Sequence, residues 1–182
     1  MPYDPPPDLA GLSLAGIAEA VAARRLPPVE TWTPASVGES RMRIAADGSW
    51  WHEGRPIARP AMIRAFAALL MRDPAGRHWL VTPQQKLAIA VDDAAFVAVD
   101  CVHRDGSLAF RLNTDEIVLA DAEHRLENRG STAAPALYLA VRSGCEARLD
   151  RSTWLQLAEI ALAQGDGSTV ASGGARFSLL PA

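Results

Sequence analysis

The chain has 182 residues, an apolar share of 49%, 21% charged residues and a formal charge of -3. That composition fills a hydrophobic core of one large or two small domains and excludes a wholly disordered chain. The charges of both signs are interspersed, which argues against an extended nucleic-acid surface or a basic membrane-binding face.

The opening residues Met1 to Asp8 lack the basic start and apolar stretch of a signal peptide, so a cytoplasmic location is expected. Ser13 is placed to cap a helix whose apolar residues Leu14, Ile17 and Val21 recur at helical spacing, and Arg24 and Arg25 suit its negative C-terminal end. Pro27 and Pro28 stop it. Residues 29–39 have no clear period and read as an irregular connection. From Arg41, alternation of Met42 and Ile44 with charged neighbours, a turn at Asp47-Gly48 and the pair Trp50-Trp51 predict a hairpin.

A second turn at Glu53-Gly54 leads to Pro60, which suits the first turn of a helix predicted over about 61–72. Its apolar residues cover more than one stripe, so burial of most of the helix is expected. Arg64 and Arg72 interrupt it, and no apolar run is long enough to cross a bilayer. A strand over 78–82 follows. Beyond Pro83, strand-like runs at 87–91, 96–103, 108–112, 117–119 and 137–142 predict an antiparallel meander. A short strand then ends at Leu149, Asp150 caps a helix carrying Trp154, Leu157, Ala158 and Ala161, and 177–180 returns as a strand. A shift of about 91 residues superposes this unit on the earlier hairpin, helix and strand, which suggests duplication. The segments 165–169 and 172–174 read as loops.

These elements make an α+β protein of two halves, divided at about residue 83 into 1–83 and 84–182. Trp51-x-x-Gly54-x-Pro56-Ile57-x-Arg59, Phe66-Ala67, Leu80-Val-Thr-Pro83-x-x-Lys86, Val91-x-Asp93-Ala94-x-Phe96, Asn113-Thr114 and Arg142-x-Gly144-x-Glu146-Ala147-x-x-x-Arg151 stand in this order. Together they resemble the bacterial family called domain of unknown function 1285. Gln85, Ala95 and Cys145 depart from its pattern. The resemblance implies two packed halves with duplicated hairpin-helix-strand motifs, the C-terminal half similar to a pleckstrin-homology-like antiparallel barrel with a C-terminal helix. It also implies a nucleotide-like ligand held between the halves and a part in bacterial signalling.

Arg59 precedes an apolar helix and Lys86 follows a strand end, so both are candidates for an anion; a helix start with an arginine beside it suits an oxyanion. The structural alternative for Arg59 is an ion pair with Asp92 or Asp93. Arg142 would add charge, Trp51 or its neighbour Trp50 would stack on a base, and Thr82, Asp93 and Asn113 would supply hydrogen bonds. Asp92 and Asp93 are adjacent on an extended chain and point apart, which disfavours a shared metal ion. The four histidines have no ligand spacing, and Cys101 and Cys145 lack a CxxC pattern and read as buried thiols. No catalytic residue, metal or cofactor is assigned.

The leading expectation is a non-enzymatic binding protein for a small anionic, nucleotide-like ligand, acting in signal transduction with a signalling protein as partner and compatible with a homo-oligomer. An adaptor without a ligand and a metal-assisted nucleotide hydrolase or transferase are the alternatives.

Overall fold

The computed structural model describes residues 8–181. The residues on which the argument about a signal peptide mainly rests, 1–7, lie outside that range. Two compact bodies divide the chain: the first holds residues 25–96 and 141–146, and the second holds the residues up to Arg24, 97–140 and those from 147 onward. The class is α+β, with a six-stranded sheet in each half.

In the first body the strands are β1 (Ser36–Ile44), β2 (Trp50–His52), β3 (Arg55–Pro56), β4 (Leu70–Arg72), β5 (His78–Val81) and β6 (Gln85–Val91), in the spatial order β3-β2-β1-β6-β5-β4. The hairpin at Asp47-Gly48 forms as expected, with Ile44 opposite Trp50. Strand β1 begins at Ser36, five residues before the alternation does, because it also pairs in parallel with β6. Between Glu39 and Arg43 the register shifts, and Arg41 takes a φ of 55°. Ser40 fills the gap in the ladder: its hydroxyl donates to the Ala88 carbonyl at 2.7 Å and accepts from the Met42 N–H at 3.1 Å.

The division expected at residue 83 falls between two paired strands. Strand β6 pairs with both β1 and β5, so residues 84–96 complete the first body and the antiparallel meander starts only after it. The helix expected over 61–72 is shorter: α2 spans Pro60–Ala67, and Leu70–Arg72 is strand β4 on the sheet edge, with Leu70 fully buried opposite Leu80. Tertiary pairing outweighs the helical preference of an alanine-rich segment. Burial of this helix is partial, with Ala61, Met62 and Ala65 exposed.

The core of this body gathers Ile44, Trp50, Ala67, Leu70, Leu80 and Ile89. Trp50 is 1% exposed and stacks on Phe66 with ring centroids 6.4 Å apart, whereas Trp51 lies on the other face of the sheet and is half-buried. A second cluster holds Val29, Trp79 and Val81.

The second body carries α1 (Leu14–Ala23), capped by Ser13, whose hydroxyl accepts from the Gly16 N–H at 3.1 Å. Ile17 packs with Leu9 and Ala109. Strands β7 (Phe96–Arg104), β8 (Ser107–Leu112), β9 (Ile117–Ala120), β10 (Leu126–Asn128), β11 (Leu137–Arg142) and β12 (Cys145–Leu149) form a sheet in the order β10-β11-β12-β7-β8-β9. Helix α3 (Arg151–Gln164) starts at Asp150, which accepts from the Thr153 N–H at 2.7 Å. Cys101 and Cys145 are free and buried, and burial pushes the Cys101 thiol up to about 12.

Of the segments read as loops near the C-terminus, 165–168 and the Gly173-Gly174 turn are irregular as expected, while Thr169 and Ser172 are the ends of β13 (Thr169–Ser172), which pairs with β14 (Ala175–Ser178) in a hairpin. Ser172, 1% exposed, ties it down: its hydroxyl accepts from the Leu108 N–H at 2.7 Å and donates to the Ala120 carbonyl at 2.6 Å. No helix among the described residues is long and apolar enough to cross a membrane.

Candidate functional site

Glu53 and Gly54, both at positive φ, make the tight turn that sets Arg55 on β3 directly opposite His52 on β2. The chain then runs through Ile57 and Ala58 to Arg59, which stands immediately before α2. These segments enclose an open hollow of about 640 Å³, lined by His52, Arg55, Ile57, Arg59 and Met62 among others. Glu53, also on its wall, is occupied by Arg41 at 2.8 Å, a bond that holds its carboxyl below the usual range. Arg55 and Arg59 are exposed, and neither guanidinium has a hydrogen bond or ion pair among the described residues.

The helix start itself contributes little. Pro60 has no N–H, and the N–H groups of Met62 and Ile63 both donate to the Arg59 carbonyl, at 3.0 and 3.1 Å. Attraction for an anion therefore comes from the two guanidinium forks rather than from backbone donors. The edge is also closed to strand addition at Pro56, which has no N–H to donate. What the hollow can do is hold an oxyanion with two forks above an apolar wall of Ile57, Ala58 and Met62.

Of the residues singled out in the sequence, Arg59 alone lies in this hollow. The ion pair considered for it is made by another residue: Arg43 grips both oxygens of Asp92, with Nε to Oδ1 at 2.9 Å, and holds that carboxyl low. Asp93 is half-buried and has its own contact within the fold. The Trp51 indole N–H donates to the Ser49 hydroxyl at 2.9 Å. Thr82 closes a turn, accepting from the Gln85 N–H at 3.1 Å and donating to its carbonyl at 3.2 Å.

Lys86 lies 4.3 Å from the centre of the Trp79 ring, and Arg77 lies 4.6 Å from it. The Trp79 N–H donates to Asp73 at 2.8 Å and is the main reason that carboxyl is held low. Arg142 donates to the Ala67 carbonyl at 2.9 Å and sits over Phe96 at 5.1 Å. Asn113, in the second body, accepts from the Val97 N–H at 3.0 Å and its own N–H donates to the Val97 carbonyl at 2.8 Å. No group of three or more His, Cys, Asp or Glu among the described residues is arranged to hold a metal ion.

In the sequence, His52 is weighed only as a metal ligand and Arg55 is passed over. The signal was there in the Glu53-Gly54 turn, since a two-residue turn fixes its flanking residues as a cross-strand pair.

Two family models together cover residues 27–179 of the chain. Residues 27–94 match the N-terminal domain of the domain of unknown function DUF1285, and residues 95–179 match the C-terminal domain of the same family. The chain belongs to the DUF1285 family. A crystal structure of a DUF1285 family protein from Silicibacter pomeroyi DSS-3 is 33% identical, with a TM-score of 0.76, and the match covers 93% of this chain and 95% of that one. A second, from Shewanella baltica OS155, shares the fold at 20% identity and a TM-score of 0.54, over 65% of this chain and 90% of that one. No curated protein matches the sequence. The family's two models divide at 94/95, close to the boundary of the two bodies at 96/97.

Proposed function

We propose that this DUF1285 protein is a cytoplasmic binding protein that takes a small anionic ligand, nucleotide-like in carrying a phosphate on a flat or apolar body, in the hollow beside α2. The observation that carries this reading is that Arg55 and Arg59 share one hollow and are without partners among the described residues, while neighbouring cations are already engaged. Two unpaired arginines on adjoining segments repel each other and gain most from a shared oxyanion. Ile57, Ala58 and Met62 give the apolar body a surface to cover. A signalling role follows if occupancy alters what the protein binds.

The hydrolase alternative, which would use Asp92 or Asp93, is the weaker reading, since Asp92 is held by Arg43 and Asp93 has its own contact within the fold. Isothermal titration with inorganic phosphate, nucleoside phosphates and cyclic dinucleotides tests the proposal. A saturable signal is expected, about tenfold weaker in Arg59→Ala and about 100-fold weaker in the Arg55→Ala/Arg59→Ala double variant, since a hydrogen bond to a charged group contributes about 1.5–3 kcal/mol. Binding that survives unchanged in the double variant sinks the assignment.

A further inference from the structure

A separate hollow of about 600 Å³ lies wholly within the second body. It is bounded by His103 on β7, by Gln164 and Asp166 at the end of α3, and by Thr169 and Arg176 on the β13–β14 hairpin. Its walls are fastened. Gln164 accepts from the Ala171 N–H at 2.7 Å and donates to the Ala171 carbonyl at 3.3 Å, clamping β13 to the helix end. On the far side, the Gly173 N–H donates to the Gly106 carbonyl at 3.0 Å.

Two opposite charges face this space, each oriented by a neighbour and not by the other. Asp166 accepts at Oδ1 from the Ser168 N–H at 2.8 Å and from the Ser168 hydroxyl at 2.5 Å, while Oδ2 accepts from no described residue. The Ser168 bonds keep the carboxyl ionised well below neutral pH, and the Arg176 charge adds to this. Arg176 donates from Nη1 to the Thr169 hydroxyl at 3.2 Å and forms no ion pair among the described residues. The His103 imidazole, half-buried, is likewise without a partner among them.

A carboxylate and a guanidinium that influence one another, line one hollow and yet do not pair leave a gap that a single molecule of both charges would bridge. We infer that this hollow binds a small zwitterion of the α-amino-acid or dipeptide class, its carboxylate on Arg176 and His103 and its ammonium on Asp166 Oδ2. A molecule with one charge satisfies one end and leaves the other as it was, so the zwitterion is selected over a simple anion or amine. Because the charged groups are held by Ser168, Thr169 and the Gln164 clamp, little side-chain freedom is lost on binding.

Titration of the full chain with glycine, alanine, glutamine and diglycine, followed through the His103 ring resonances and assigned with His103→Gln, tests this directly. Acetate and ethylammonium serve as single-charge controls. Saturable shifts with at least one zwitterion, at least tenfold weaker in Arg176→Ala and in Asp166→Asn and unaltered in the Arg55→Ala/Arg59→Ala variant, are expected. No saturable shift with any zwitterion overturns the inference. So does acetate binding as tightly as the zwitterions, or binding that persists in both charge variants.

Discussion

Each body holds a hairpin in place, and the two do so by different means. In the first, residues 141–146 are the tip of the β11–β12 hairpin and, beside the side-chain contacts of Arg142 and Glu146, dock by close backbone approach: the Arg72 N–H donates to the Ser143 carbonyl at 2.8 Å, and Gly144, at a φ of 74°, lies so close to β4 that a Cβ there would stand 2.5 Å from the Arg72 carbonyl oxygen. In the second, the β13–β14 hairpin is tied by a side chain, the Ser172 hydroxyl bridging Leu108 and Ala120. A steric tie is broken by adding atoms and a polar tie by removing them. The hollows inherit the difference: the one beside α2 presents free arginines, whereas the one beside β13 presents charges set in position by other bonds.

The largest effect is expected from Gly144→Ala, which adds a Cβ against backbone at a φ that disfavours it, for a loss of about 2–4 kcal/mol. Four of the five tryptophans, Trp32, Trp50, Trp51 and Trp79, lie in the first body and Trp154 in the second, so in a Trp154→Phe background fluorescence in a urea titration reports the loss there. An unchanged midpoint breaks the steric account. Ser172→Ala should follow at about 2 kcal/mol, because the Leu108 N–H and the Ala120 carbonyl are left buried without their partner. Faster amide exchange at Leu108, with the first body's fluorescence midpoint unmoved, is the expected pattern. Gln164→Ala removes the clamp without touching either charge. About 1 kcal/mol is expected from it, together with zwitterion binding weakened severalfold through loss of orientation alone.

Local chemistry was legible in the sequence because its cause is local. Ser13 and Asp150 cap their helices as read, and Asp47-Gly48 and Glu53-Gly54 turn as read. Pairing of β1 with β6 joins residues nearly fifty positions apart through a stretch, Ser36 to Ser40, with no alternation to reveal it, and a bulge at Arg41 hides the register further. Leu70–Arg72 looked helical because alanines precede it, and its strand character comes from β5. For the site, position at an element end singled out Arg59 and Lys86 alike, and Arg142 was added for its charge. The sequence does not say which cation is already occupied, and that depends on Trp79 beside Lys86 and on the Ala67 carbonyl beside Arg142.

The smallest effect, and the one that separates the two ties most finely, concerns pH. His78 pairs across β5 and β4 with Arg72, the residue on which Gly144 rests, and burial together with the Arg72 charge lowers its pKa below the ordinary 6.5, with Glu146 and Asp73 acting in the opposite sense. A histidine whose pKa is depressed in the folded state binds its proton more readily when unfolded, so the first body is expected to lose stability as pH falls below about 6.5. Stability should be independent of this group above that value. Replacing His78 with Gln should flatten the slope between about pH 6.5 and 5 by a fraction of 1 kcal/mol, read again through tryptophan fluorescence. Amide exchange at Leu108 in the second body should keep the same pH response in both proteins once the intrinsic exchange rate is corrected for, since Ser172 carries no titrating group. If the slope between about pH 6.5 and 5 survives His78→Gln, another group titrating in that window causes it and the account given for His78 fails, because carboxylates such as Asp92, with a depressed pKa, lose their contribution only below about 3.8.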